Sequence, residues 1–146
     1  MQPVTHHAGG SLAFTTHGPG FTDITRDINA WLADQQAAGG LLNVFIMHTS
    51  ASLTIQENAD PDVLRDLSDA LDRVAPRDHP YRHSSEGPDD MPSHIRSMVT
   101  STALSIPVVH GRMELGIWQG VYLVEHRDAP HDRRIMLTFI GAGREG

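Results

Sequence analysis

Three histidines far apart along the chain, His48, His83 and His94, are the side chains with the most chemical potential. Neutral imidazoles bind zinc and similar divalent ions, and a set of three leaves a fourth position open for water or substrate. No two of these histidines stand four residues apart, so only the fold could bring them together. The competing reading is a group of hydrogen-bonded histidines around a polar pocket. A second group is carboxylic: Glu57, Asp60, Glu86, Asp89, Asp90 and Glu125. Clustered carboxylates raise one another's pKa, and they serve as general acid or base or hold Mg²⁺ beside a phosphate. Helix capping alone accounts for Asp60, while Asp89 and Asp90 also fit loop solvation or a cap. A third group, Arg112, Arg133 and Arg134, would hold an anion together with the helix start near His94. Arg133 and Arg134 are neighbours in a predicted strand and point to opposite faces, so at most one of them serves a given pocket. The run His48-Thr49-Ser50-Ala51-Ser52 offers serine hydroxyls beside a histidine. Neighbours in sequence seldom make the mutual contacts that a catalytic triad needs.

Two of the three histidines lie in one segment, Tyr81 to Ile95, which holds almost nothing apolar and is therefore a surface loop. Pro88 and Pro92 stiffen it. Pro92 also suits the first turn of a helix beginning at Asp90 or Met91, with Ile95, Met98 and Val99 at helical spacing. His94 would then sit on the first turn with its orientation set.

The remaining elements form the frame. Residues 11–17 alternate as a strand closed by Gly18-Pro19-Gly20. Thr22 or Asp23 caps a helix to about Gln36, with Ile24, Ile28, Trp31 and Leu32 on its core face and Gly39-Gly40 as its stop. Leu41 to Thr49 is apolar on both faces, which predicts a central strand with His48 at its end. Asp60 and Pro61 open a second helix whose Val63, Leu64, Leu67, Leu71 and Val74 face the core. Ile106 to Val109 is a short strand placed at an edge or an end by Pro107. Met113 to His126 reads as one long strand carrying Gln119 and Glu125 on its apolar parity, as hydrogen-bonded core groups or site groups. Gly116 and Gly120 flank Trp118 and mark a bulge or a close approach. Arg133 to Ile140 is the last strand. Three helices and about five or six strands predict a single α+β domain over residues 1–146, on a mainly antiparallel sheet with room for some parallel pairing.

Bulk properties limit the partners. The 146 residues carry 18 acidic and 11 basic groups, a formal charge of −7, which disfavours nucleic acid and anionic membrane. Cysteine is absent, removing disulfides, thiolate nucleophiles and cysteine zinc sites. With no staples, no secretory signal and no membrane-length apolar run, the expectation is a cytoplasmic protein. His6, His7, His17, His79 and His131 are assigned to the surface.

Several separated motifs then point the same way. His48-Thr49-Ser50-Ala51-Ser52-Leu53-Thr54, Asn58, Asp60-Pro61, Glu86 through Ile95, Gly116 with Trp118-Gln119-Gly120, and Glu125-His126-Arg127 resemble the YjbQ family from about Gly18 to Gly141. The resemblance implies a compact α+β protein that assembles as a homotrimer. It also implies a weak secondary thiamine-phosphate synthase activity, joining a pyrimidine diphosphate to a thiazole phosphate with loss of pyrophosphate. Positions matching the family's motifs are His48, Glu57, His83, Glu86, Asp90, His94, Trp118, Gln119 and Arg133. The expected site thus has a divalent metal, zinc or magnesium, on His48, His83 and His94. Glu57, Glu86, Asp90, Gln119 and Arg133 are the expected catalytic groups, Arg133 or the metal facing the pyrophosphate and Glu57 or Glu86 orienting the reactants. The hairpin Asp128-Ala129-Pro130-His131-Asp132 replaces a turn that is often glycine-rich in relatives. Alternative readings are a metal-dependent hydrolase of a small substrate and a non-catalytic trimer that binds a metabolite.

Overall fold

A computed structural model describes residues 1–145. Its elements run β1 (His6–Thr16), β2 (Gly20–Asp23), α1 (Thr25–Asp34), β3 (Ala37–Ile46), β4 (Ala51–Glu57), α2 (Pro61–Val74), α3 (Asp90–Val99), β5 (Ala103–Val109), β6 (Arg112–Met113), β7 (Gln119–Glu125) and β8 (His131–Gly143). The strands make a five-stranded sheet in the order β1-β8-β3-β5-β6 and a three-stranded sheet in the order β2-β7-β4. Every strand pair is antiparallel, so the parallel pairing that the sequence left open does not occur among the described residues. The single α+β architecture is as expected.

The inward faces of both sheets share one core. Leu42, Val44 and Ile46 of β3, Ile135, Leu137 and Phe139 of β8, Leu53 of β4 and Val121 and Leu123 of β7 pack together, with Ile24, Ile28 and Leu32 at the start and along the face of α1. The period-two and period-3.6 patterns of these segments place them there. Contacts of this kind, each worth about 1.5–3 kcal/mol per buried aliphatic side chain, are the main force holding the fold.

Local chemistry sets the helix ends. The Asp60 carboxylate accepts a hydrogen bond from the Asp62 N–H at 2.9 Å, and Pro61 follows it, so α2 starts where the cap and the proline direct. Helix α1 stops earlier than predicted. Gln36 takes a positive φ of 55°, and Gly39 and Gly40 lie inside β3. Those glycines serve a different purpose: a Cβ at Gly141 on β8 would fall 2.1 Å from the Gly39 carbonyl, so the two strands approach too closely for a side chain.

Three segments depart from the sequence reading. The predicted strand from Met113 to His126 is broken between β6 and β7, and residues 114–118 carry the chain from one sheet to the other. Gln119 ties that crossing, its Oε1 accepting the Gly116 N–H at 2.7 Å. Ala51–Glu57 is a strand that the periodicity reading left unassigned, and Gly20–Asp23 is a strand where a turn and a helix cap at Thr22 or Asp23 were expected, α1 beginning instead at Thr25 after Ile24. The apolar face of α2 is only partly covered, and Val74 is exposed. Strand β3 is central, between β8 and β5, but its second face is open: Leu41 and Phe45 are 50% and 43% exposed, and Met47 just past its end is 51% exposed. No helix of the described residues is long and apolar enough to cross a membrane.

Candidate metal centre

The loop after α2 leads into the first turn of α3, and that junction brings two of the three predicted histidines together. Asp90 opens α3, and His94 lies one turn later on the same face. His83 comes back from the loop to meet them. Its Nε2 is 2.5 Å from Asp90 Oδ2, the His94 Nε2 is 3.2 Å from the same oxygen, and the three ligand atoms lie within 4.8 Å of one another. Ligand atoms in a tetrahedral zinc site at about 2.1 Å from the ion stand roughly 3.4 Å apart, so small side-chain rotations would open this set around a cation.

The surrounding hydrogen bonds orient those atoms. His94 Nδ1 lies 3.1 Å from the Thr49 carbonyl, which can only accept, so Nδ1 carries a proton. In the neutral ring, the Nε2 lone pair then faces the Asp90 carboxylate. A cation or a proton between Nε2 and Oδ2, 3.2 Å apart, joins the two groups. Arg127 holds the other side of the carboxylate. Its Nη1 donates to Asp90 Oδ1 at 2.6 Å, its Nε to Asp89 Oδ2 at 2.8 Å, and its Nη2 to the Glu86 carbonyl at 3.1 Å. Burial alone would raise the Asp90 carboxyl, but its bond with His83 and the Arg127 charge outweigh this and hold it below the usual range. For Asp89 too, burial is overcome by the Arg127 and Asp128 N–H bonds. Both carboxylates therefore stay ionised at neutral pH.

His48 does not join this group. Strand β3 ends at Ile46, and the His48 ring turns across onto β8, where its Nε2 accepts the Arg134 backbone N–H at 2.8 Å. That lone pair is committed, so His48 lies outside the group that could hold an ion, which consists of His83, Asp90 and His94. Burial and then the Arg133 charge lower the His48 pKa, and the ring stays neutral. Thr49 still links the two regions, since its carbonyl holds His94.

Arg133 and Glu125 form a buried pair beside His48. Glu125 Oε1 accepts from Arg133 Nε at 2.8 Å and from the Thr16 hydroxyl, while Oε2 accepts from Arg133 Nη2 at 2.5 Å and from the His126 and Arg127 N–H groups at 3.0 and 3.1 Å. Burial would raise the Glu125 carboxyl, and the Arg133 and Thr16 bonds more than reverse it. Arg133 is 3% exposed and also holds the Ser50 hydroxyl at 3.1 Å. It positions Ser50 and offers little surface to a substrate phosphate. Arg134 points out to solvent, as strand alternation requires. Arg112 lies on β6 at the far edge of the larger sheet.

Glu57 and Gln119 stand apart from the histidines within one chain. They face each other at one end of the β4–β7 ladder, while Ala51 and Glu125 pair at the other. Six residues of strand separate the ends by ~20 Å at roughly 3.3 Å per residue. Glu57 accepts the Asp60 N–H at 3.3 Å, an N-terminal helix contact. Glu86 is closer, its carboxylate 3.9 Å from His83 Nε2.

The serine reading resolves differently. Ser52 meets a histidine, but it is His126, with Oγ 2.8 Å from Nε2, and both residues are buried. Burial, then the Arg96 charge, lowers the His126 pKa to about 4, and no carboxylate contacts its Nδ1 among the described residues. The pair is structural rather than a nucleophile and base. It has a consequence for stability. The folded pKa lies below the unfolded value of 6.5, so the contribution is intact above pH 6.5 and is lost as pH falls toward 4. A shift of that size corresponds to roughly 3 kcal/mol. Urea unfolding between pH 7 and pH 4 should show this loss, reduced in His126→Gln.

Sequence reasoning named Asp89 among the candidate carboxylates but missed Arg127 as the residue that holds it and Asp90. The i, i+4 spacing of Asp90 and His94 was an available signal for the carboxylate ligand.

The chain is similar to known proteins in sequence and in fold. A family model described as UPF0047 protein YjbQ-like matches residues 10–142. The UPF0047 protein sll1880 of Synechocystis is 49% identical over 131 residues, covering 89% of each chain. The UPF0047 protein YjbQ of Escherichia coli O157:H7 is 43% identical, covering 90% of this chain and 96% of its own. A crystal structure of an uncharacterized YjbQ/UPF0047 protein from Clostridium acetobutylicum superposes with a TM-score of 0.81 at 32% identity, covering 88% of this chain and 98% of its own. The conserved hypothetical protein TT1486 of Thermus thermophilus superposes at 0.79 and 36% identity, covering 88% and 97%. By sequence and by fold, the chain belongs to the YjbQ family, UPF0047.

Proposed function

We propose that this chain is a divalent-metal-dependent enzyme acting on a small phosphorylated molecule. Its reaction is of the thiamine-phosphate synthase type, in which the bond to a departing diphosphate breaks as the bond to a thiazole phosphate forms. The observation that carries the metal reading is the convergence of one ligand atom each from His83, His94 and the ionised Asp90 within 4.8 Å of one another. The ion would be held by His83, Asp90 and His94. When bound, it supplies positive charge next to an anionic leaving group. Arg127 keeps Asp90 ionised and aimed, and Thr49 fixes the His94 tautomer. Substrate would enter the cavity of about 350 Å³ beside His83, which Arg77, Tyr81, Pro88 and Pro92 also line. Incubating a pyrimidine diphosphate and a thiazole phosphate with zinc- or magnesium-loaded protein should yield the joined monophosphate and pyrophosphate. Chelator should abolish this. Product formation unchanged by complete metal removal would contradict the proposal.

A second reading, hydrolysis by an activated water, draws on the same ligand set, because two histidines and one carboxylate leave positions open. Release of a single phosphate without a joined product would favour it. A non-catalytic metabolite-binding role would show as thermal stabilisation by ligand with no product.

The homotrimer belongs to the same proposal and is supported by the uncovered face of β3. Leu41 pairs with exposed Ile140 near Val109 at one end of this face, and Phe45 lies beside half-buried Met136 at the other, apolar side chains that a neighbouring chain would cover. Sedimentation should give about three times the 16.0 kDa chain mass, with Phe45→Glu shifting the protein to smaller species. A wild-type monomer would contradict this.

A further inference from the structure

Behind α3, on the side away from the loop, a guanidinium is buried with too few partners. Arg96 is 5% exposed. Its Nη2 donates to Asp72 Oδ1 at 2.9 Å and to the Ala75 carbonyl at 3.2 Å. Its Nε is buried with no acceptor, and its Nη1 has none among the described residues. A guanidinium presents five N–H donors, and buried donors are almost always satisfied. Its carboxylate partner is a weak counterion, since Asp72 is largely in solvent.

Next to Arg96 lies a cavity of about 280 Å³, between β2, the end of β7 and α2. Arg77, Ser68, Phe21 and His126 also line it. His126 uses Nε2 on Ser52, and its Nδ1 has no partner among the described residues. Two carboxylates border the cavity. Both oxygens of Glu125 are taken by Arg133, Thr16 and backbone N–H groups, and Asp72 extends toward solvent. Arg77 is committed to Asp128 through both Nη atoms, and Asp72 gives one oxygen to Arg96, so Arg96 Nη1 is the one cationic donor left without an acceptor on this space among the described residues.

We infer that this cavity binds a phosphate-type oxyanion, free or as the terminal group of a small phosphorylated molecule, with Arg96 as its principal donor. The Ser68 hydroxyl is a neutral group available to the remaining oxygens, and so is His126 Nδ1 in the tautomer where the Ser52 hydroxyl donates to Nε2 and the ring proton sits on Nδ1. The cavity stands apart from the metal ligands, because none of His83, Asp90 and His94 lines it. Arg77 borders both this cavity and the one beside His83, so a phosphorylated ligand long enough to pass it would touch both.

The test is NMR of ¹⁵N-labelled full-length protein, following the Arg96 Nε–H and the His126 and Ser68 amides. Inorganic phosphate is titrated at neutral pH and constant ionic strength, with chloride as control. Saturable shifts at these positions in the millimolar range or below are expected. Ser68→Glu places a carboxylate at the half-buried wall without disturbing the core and should weaken binding by about tenfold or more. Arg96→Gln should abolish it, and Ser68→Glu keeps the test decisive if that variant does not fold. A glycerol phosphate arm separates the sources: tighter binding than phosphate marks a terminal group of a larger ligand, and equal or weaker binding marks the free anion. No saturable shift, shifts unchanged by Ser68→Glu, or shifts centred on His83 and His94 would overturn the inference.

Discussion

Asp90→Asn should lower the zinc affinity of the site by on the order of 100-fold or more and remove metal-dependent turnover. The substitution keeps the side chain's shape and one oxygen for Arg127, but removes the charge shared by both histidines. Changes at outer-shell partners of metal ligands cost 10–100-fold in affinity, so loss of a direct, charged ligand should be at least as large. The fold should survive with a smaller penalty. One charge-assisted bond to Arg127 becomes neutral, worth about 1–2 kcal/mol. Zinc titration followed by circular dichroism of the same sample separates the two effects. Unchanged zinc affinity in a folded Asp90→Asn protein would show that the cluster is a hydrogen-bond network and nothing more.

The largest stability effect is expected at Glu125 and Arg133. Each is almost fully buried, and they are joined by two hydrogen bonds. Removing one partner leaves the other's charge in a medium that cannot solvate it, at a cost of about 3–5 kcal/mol. Glu125→Leu should be the more damaging, because the carboxylate also holds the Thr16 hydroxyl and the N–H groups of His126 and Arg127. The double variant Glu125→Leu with Arg133→Met should recover much of the loss, since no uncompensated charge remains. Urea denaturation of the two single variants and the pair would measure this coupling. Strict additivity would mean that the two side chains contribute independently, against the geometry.

How far the sequence revealed this site can be seen at individual residues. Where a local signal acts alone, as with Asp60 and Pro61 before α2 or Asp90 and Pro92 at the start of α3, the element begins where the signal stands. The pairing of His83 with His94 was legible because one stiff loop connects them. His48 misled for a long-range reason. Its strand ends two residues earlier, at Ile46, and the Arg134 N–H across the sheet captures its ring. Which side chain completes the set, imidazole or carboxylate, depends on contacts more than thirty residues apart, and Arg127 shows the same thing from the other side. The sheet change at residues 114–118 was hidden because apolar parity continues through it, with Met113, Leu115, Val121 and Leu123 all on one phase. Strand β4 was visible as Leu53 and Ile55 alternating with polar residues, and it went unread beside the stronger histidine motif. The open face of β3 could not be told from a buried one, because Leu41, Phe45 and Met47 alternate along the chain just as inward-facing residues do.

The most direct measurement of the central claim is X-ray absorption at the zinc edge on protein purified without a histidine tag and loaded with zinc. The account predicts one zinc per chain, with two imidazole nitrogens and a carboxylate oxygen in its first shell, and loss of one nitrogen in His94→Ala. Zinc that is substoichiometric, or whose shell lacks histidine nitrogens and is unchanged in His94→Ala, would contradict it.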